Sequence, residues 1–205
     1  IMTNLHIVDQ RREVLRRIRA FAPKTVLDIG CGTGQLIAQL MHEGAEVDCT
    51  GCDKSEGMIR QAERKNLKAD FFIWDISDSP EGRFPASYDL IVCTHSFPYY
   101  PDKPSALKKI YDLMEEKSLV IFVQGSVNSL YDRIVMSGVE KTAEKAEYLS
   151  KREFLQHTAS LFDLVEQFDI KEKWFMPSIC GFVMRKRKNT HGSKKNTHKN
   201  KESIS

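Results

Sequence analysis

With 205 residues, 41% of them hydrophobic and 29% charged, the chain can bury one sizeable core and is too short for two ordinary domains plus linkers. Neither a disordered nor a membrane-spanning protein suits this composition, and no apolar run reaches the length of a bilayer span or a secretory core, which points to a cytoplasmic protein. The net charge of +3 is unevenly spread: Arg185 to Ser205 holds eight Lys or Arg against one acid, Glu202, and leaves the remainder acidic.

The first element is expected from Leu5 to Ala20, where Ile7, Val8, Val14, Leu15 and Ile18 recur at helical spacing. Arg11, Arg12, Arg16, Arg17 and Arg19 crowd its remaining faces and read as a solvated surface. Pro23 precedes a short β-branched strand, Thr25 to Ile29, which breaks into Gly30-Cys31-Gly32-Thr33-Gly34. A buried strand that turns sharply into a helix through three alternate glycines forms a cradle for a nucleotide-like ligand. The following helix directs its unpaired N–H groups at that ligand. Leu36, Ile37, Leu40 and Met41 mark that helix, and Gly44 suits the position just past its end.

Ala45 to Cys52 reads as a second strand ending at Asp53, and Ser55 as the cap of a helix carrying Met58, Ile59 and Ala62. A third strand, Lys68 to Trp74, also ends at an acid, Asp75. After a loop with Pro80, Gly82 and Pro85, Tyr88 to Thr94 is a fourth strand. His95 to Asp102 is an aromatic, proline-rich loop, Pro104 fits the first position of a helix, and Leu119 to Val123 is a fifth strand. Short helices are expected at 129–135 and 141–148. Ser150-Lys151-Arg152-Glu153 is a capping box opening another helix, and Phe162 to Trp174 with Ile179 to Val183 reads as a final hairpin turning through Met176-Pro177-Ser178.

Alternating strands and helices argue an α/β fold: a Rossmann-like doubly wound sheet of about seven strands, parallel except for an antiparallel C-terminal hairpin. The expected organisation is one domain, 1–188, in which 125–149 covers an acceptor site, followed by a basic disordered tail, 189–205. Five cysteines, an odd number without a dense framework, suit reduced thiols. Cys49 and Cys52 lie three apart on a strand, so they face opposite sides of a sheet and make a poor metal or disulfide pair; no metal site is expected.

Ligands of such sheets bind at the carboxyl ends of the strands, where strand order reverses. The glycine turn, Asp53, Asp75 and the 95–102 loop all fall there. The glycines at 30, 32 and 34 are one residue tighter than a dinucleotide fingerprint, which argues against NAD.

In VLDIGCGTG, GCDKSEGM at 51–58, Trp74-Asp75-Ile76, the strand from Ser87 to Val92 and the Tyr100-Pro101-Asp102 turn, the chain resembles the class I methyltransferases that use S-adenosylmethionine. It is similar to their small type with little inserted into the core, from about Thr25 to Val123 and more faintly to Val183. One departure is Met114-Glu115-Glu116-Lys117-Ser118, where the family usually has a glycine-containing turn. The resemblance implies S-adenosylmethionine as cofactor and S-adenosylhomocysteine as product. It implies Asp28 on the ammonium side, the turn Gly30, Cys31, Gly32 and Gly34 around the methionine moiety, Asp53 at the ribose, Asp75 with Ile76 and Met58 at the adenine, and Lys54 among the cofactor-binding residues. Thr94 and His95 would line the methionine end.

Methyl transfer asks chiefly for in-line alignment and exclusion of water. His95 is the candidate base where the acceptor arrives protonated, since its ordinary pKa lies near neutrality. Tyr99, Tyr100 and Tyr131 are candidate acceptor contacts, and Phe97 reads as buried support. With so little sequence beyond the core, a small-molecule acceptor is the first reading. RNA held through the basic tail and the leading arginines, or a non-catalytic cofactor-binding subunit, are the alternatives.

Overall fold

The computed structural model describes residues 4–80, 82, 84, 87–127, 146–170 and 179–188. Its seven strands are β1 Thr25–Ile29, β2 Asp48–Asp53, β3 Ala69–Ile73, β4 Tyr88–Thr94, β5 Met114–Gly125, β6 Phe162–Ile170 and β7 Ile179–Lys186. The helices are α1 Asn4–Phe21, α2 Gln35–His42, α3 Glu56–Glu63, α4 Lys103–Asp112 and α5 Lys151–Thr158, with a single 3₁₀ turn at Phe97–Tyr99.

One sheet runs in the order β3-β2-β1-β4-β5-β7-β6. The first five strands pair in parallel, and β7 is antiparallel to both β5 and β6. Strand order reverses between β1 and β4, so the glycine turn and the loop after β4 leave the sheet side by side. The doubly wound sheet with an antiparallel C-terminal pair is therefore as expected.

Side chains alternate along each strand and divide the core into two clusters. On one face Val14, Leu15 and Ile18 of α1 and Leu36, Ile37 and Leu40 of α2 pack on Val26, Leu90, Ile121 and Val183. On the other, Phe97, Phe122, Phe154 and Phe182 form a run of ring contacts, edge-on except for Phe154 against Phe182, whose centroids lie 4.4 Å apart. Cys52 belongs to this second cluster and Cys49 to the first, so the Cys-x-x-Cys pair is split by the sheet. All five cysteines are free and buried.

Several local expectations need adjustment. Pro104 is the second residue of α4, because Asp102 caps that helix by accepting from the Ser105 amide at 2.9 Å. β2 starts at Asp48, and β7 runs on to Lys186 because its whole length pairs with β6; the expected continuation of β6 over 171–174 lies outside the described residues. Residues 146–150 are not helical. The helix at 129–135, the Met176-Pro177-Ser178 turn and the 189–205 tail lie outside the described residues, as does most of the segment 125–149.

β5 is longer at its start than expected, because Met114 pairs with Tyr88 before an excursion and Leu119 then pairs with Leu90. Ser118 closes that excursion: its buried hydroxyl accepts from the Glu115 amide at 2.8 Å and donates to the Tyr88 carbonyl at 2.6 Å. A serine hydroxyl satisfies the turn's backbone groups, and no left-handed residue is required.

The arginine face of α1 is solvated at Arg12, Arg16 and Arg19, as the spacing suggested, but not at Arg17. Arg17 is buried, reaching Glu166 of β6 at 2.6 Å and Glu13 at 2.7 Å with its guanidinium over Phe168. A buried guanidinium needs such partners, and here they tie the helix to the far edge of the sheet.

Candidate active site

The glycine turn folds over the end of β2. The amides of Gly30 and Cys31 both donate to the Cys52 carbonyl, at 2.8 and 3.0 Å, and the Gly32 amide donates to Asp53 Oδ2 at 3.0 Å. Gly30 has a φ of 78°, and a Cβ there would lie 2.5 Å from Cβ of Ser96. Glycine is required at that position both for its backbone conformation and for the approach of the β4 loop. Ser96 Oγ completes the seam by donating to the Ile29 carbonyl at 2.9 Å. A Cβ on Gly32 would meet nothing within 4 Å, so the outer side of the turn faces open space.

Two cavities meet at this seam. The larger, about 920 Å³, takes Asp53 and Lys54 from the end of β2, and Trp74, Asp75 and Ile76 from beyond β3. Gly30, Thr94 and His95 form its floor at the strand-order reversal. Tyr99, Tyr100, Lys103 and Glu147 supply the wall beyond β4. The smaller, about 190 Å³, lies under the glycine turn between Asp28, Cys31 and Arg11, and shares Thr94 and His95 with the first.

Asp28 is 1% exposed, and its Oδ1 is buried without a hydrogen-bond partner among the described residues. Desolvation, aided by the negative charge of Asp53 and opposed by Arg11, raises its pKa to about 7. Such an atom calls for a donor from outside the chain. Asp53 uses one lone pair of each oxygen internally, Oδ2 for Gly32 N and Oδ1 for the Ser55 amide at 2.9 Å, which leaves each a second for a ligand. Asp75 Oδ1 likewise accepts from the Ser77 amide at 2.8 Å.

His95 adopts a left-handed backbone with φ 60°, held by its amide donating to the Val123 carbonyl at 2.7 Å. Its Nε2 meets Oε1 of Gln10, which α1 lowers onto the site. Burial lowers the imidazole pKa to about 4, so the ring is neutral at neutral pH.

Of the residues expected at the site, Gly30, Asp53, Lys54, Asp75, Ile76, Thr94, His95, Tyr99 and Tyr100 line the larger cavity, and Asp28 and Cys31 the smaller. Gly32 and Gly34 shape the turn without entering the wall of either cavity. Met58 is 41% exposed on α3, away from both walls. Tyr131 lies outside the described residues. Phe97 is buried support, as expected. The Cys31 thiol is held protonated by burial, as are those of Cys49, Cys52 and Cys93. Among the described residues no group of three or more His, Cys, Asp or Glu could hold a metal, and no helix is long and apolar enough to cross a membrane.

Sequence reasoning missed Gln10 and Arg11, hidden within a run that looks like a charged surface. It also missed Trp74 as a wall residue, and Lys103 and Glu147, which lie 44 residues apart. Glu147 reaches the cavity because its amide donates to the Pro98 carbonyl at 2.8 Å, while Ser126 Oγ donates to the Leu149 carbonyl at 3.1 Å.

Residues 26–117 match a family described as a methyltransferase domain. A putative methyltransferase, 235L, of Invertebrate iridescent virus 6 is 23% identical over 88% of this chain and 68% of its own length. The ubiquinone biosynthesis O-methyltransferase of Photorhabdus laumondii is 25% identical over 78% of this chain and 68% of its own. Other curated relatives are matched over about half of their length. The magnesium protoporphyrin IX methyltransferase of Synechocystis PCC 6803, solved with bound S-adenosylhomocysteine, superposes with a TM-score of 0.70 at 16% identity, covering 89% of this chain and 84% of that one. In its matched domain, its curated relatives and its sheet, the chain is similar to the class I S-adenosylmethionine-dependent methyltransferases.

Proposed function

We propose that the chain methylates a small-molecule acceptor held in the larger cavity, with S-adenosylmethionine spanning the seam between the two cavities. The observation that carries this reading is one continuous space of about 920 Å³ from Asp53 and Asp75 to Tyr99 and Lys103. That lies near the upper end of the ~300–1,000 Å³ typical of ligand sites, which leaves room for a second ligand beside a nucleoside.

The residues fit the cofactor. Asp28, with its orphaned oxygen beneath the turn, would hold the ammonium, and Arg11 beside it would face the carboxylate. Asp53 retains acceptor capacity for the ribose diol, while Asp75 and Ile76 would flank the adenine. When bound, S-adenosylmethionine supplies a methyl group on an electrophilic sulfonium. The protein's part is to orient the acceptor and exclude water, through the aromatic wall of Trp74, Tyr99 and Tyr100.

His95 acts here as a neutral positioning group held by Gln10 rather than as a titrating base. His95→Gln is expected to lower turnover while leaving the pH–rate profile unchanged in shape between about pH 6 and 9, since an imidazole with a pKa near 4 does not titrate there. Loss of an acidic limb in that window would restore His95 as the base.

Nucleic acid as acceptor is the second reading, and the wall disfavours it. Lys54 and Lys103 are opposed there by Asp53, Asp75 and Glu147, unlike the cationic groove that a phosphate backbone requires. Incubation with methyl-labelled cofactor and, separately, a small-metabolite extract and total RNA tests the choice. Label is expected in small molecules; label confined to RNA would overturn this reading.

A further inference from the structure

Resting on the methyl-transfer reading, we infer that the acceptor carries an acidic group, a carboxylate or a phosphate, and that Lys103 binds it in place of Glu147. Lys103 is the first residue of α4, where the helix dipole disfavours a cation, and lysines are seldom buried. Yet its side chain is only 5% exposed, and Lys103 lines the larger cavity. A residue that breaks two local preferences at once inside a ligand cavity marks a functional position.

The partners of the ammonium show what that function is. Nζ donates to the Tyr100 carbonyl at 3.4 Å and to Glu147 Oε2 at 2.6 Å, and it lies 5.9 Å from the centre of the Phe97 ring. Glu147 is its one carboxylate partner among the described residues, and that side chain is 69% exposed.

The two halves of the pair are thus unequal. Glu147 can return to water at small cost, whereas Lys103 cannot leave the wall and must be given another anion if Glu147 swings away. An acceptor's carboxylate or phosphate is the group that fits the vacated place. Tyr99, Tyr100 and Pro101 beside it offer a flat apolar surface to the rest of the molecule. Lys103 is therefore a specificity-determining contact for the acceptor. Nothing in this arrangement requires the acidic group to be the atom methylated.

The test uses the full chain saturated with S-adenosylhomocysteine, with benzoate, 3-phenylpropionate and phenyl phosphate as probes. Each acid is compared with an uncharged partner: benzamide, 3-phenylpropionamide and phenol. At least one acid is expected to bind about tenfold tighter than its partner, the size of one charge-assisted contact in a partly buried site. Glu147→Gln removes the competing carboxylate and is expected to tighten the acid further while leaving the neutral partner unchanged. Lys103→Met should abolish the difference. Should Lys103→Met fail to fold, Glu147→Gln alone decides. Acids no tighter than their neutral partners in both wild type and Glu147→Gln, or acid binding weakened by Glu147→Gln, overturns the inference. If S-adenosylhomocysteine binds and the acid preference is absent, this inference alone falls; if S-adenosylhomocysteine itself does not bind, the methyl-transfer reading falls with it.

Discussion

Replacing Asp28 with Asn is expected to weaken S-adenosylhomocysteine binding on the order of a hundredfold at about pH 8, while making the unliganded protein more stable. The two effects have one cause. In the folded chain Asp28 is buried beside Asp53 with a pKa of about 7, far above that of an exposed aspartate. As pH rises from about 4, the unfolded chain loses this proton first, so the native state loses stability until about pH 7 and then levels off. The penalty for the ionised, buried group is at most on the order of 4 kcal/mol, and Asn does not bear it.

Unliganded Asp28→Asn should therefore match wild type near pH 4 and exceed it in melting temperature above about pH 7. The ligand's ammonium would supply the charge that the carboxylate lacks, pull the pKa down and expel the proton. At about pH 6, titrations in two buffers of different ionisation enthalpy should show a proton released on binding, and at about pH 8 almost none. Asp28→Asn should release none at either pH. Equal binding by the variant and wild type would remove Asp28 from the ligand's ammonium.

Asp53→Ala is expected to have the largest single effect on cofactor affinity, about a hundredfold or more, and to lower stability as well. Asp53 holds both sides of the crossing, accepting from Gly32 in the turn and from Ser55 at the cap of α3. Its removal leaves two backbone amides without their acceptor, at a cost of about 1–3 kcal/mol for each one not rescued by water. Asp53→Asn separates the two roles: its remaining carbonyl oxygen can keep one amide, so stability should partly recover, while the paired acceptor for the ribose diol is lost. A dissociation constant for S-adenosylhomocysteine unchanged by either substitution would take Asp53 out of the site.

These two residues show how much of the site can be read from a sequence. β1 and β4 stand at their expected bounds because each is a mainly apolar run, interrupted by Asp28 or Asp89, that stops where the backbone turns left-handed at Gly30 and His95. The Ser150 capping box is equally local: Ser150 accepts from the Glu153 amide, and the Glu153 side chain answers the Ser150 amide. An acid at or just past the end of each of two adjacent parallel strands needs only the strand positions to be placed at a common edge, so Asp53 and Asp75 follow once the topology does.

What escaped the sequence depends on contacts between distant segments. Nothing in the spacing of the α1 arginines separates Arg17, buried against Glu166 of β6, from Arg12, which is exposed. Nor does it reveal that Gln10 and Arg11 come down on His95 and Asp28. Lys103 looks like an ordinary surface lysine until Glu147 is brought back to it by the Pro98 and Ser126 contacts. His95 illustrates the converse: its ordinary pKa near neutrality is a property of the free side chain, and burial beneath α1 lowers it to about 4.

The most direct test of the account is a calorimetric titration of the wild-type protein with S-adenosylhomocysteine at about pH 6 and pH 8. One site per chain is expected, with a dissociation constant below about 1 mM at both and proton release that is larger at the lower pH. A folded protein giving no heat of binding at submillimolar ligand would contradict it.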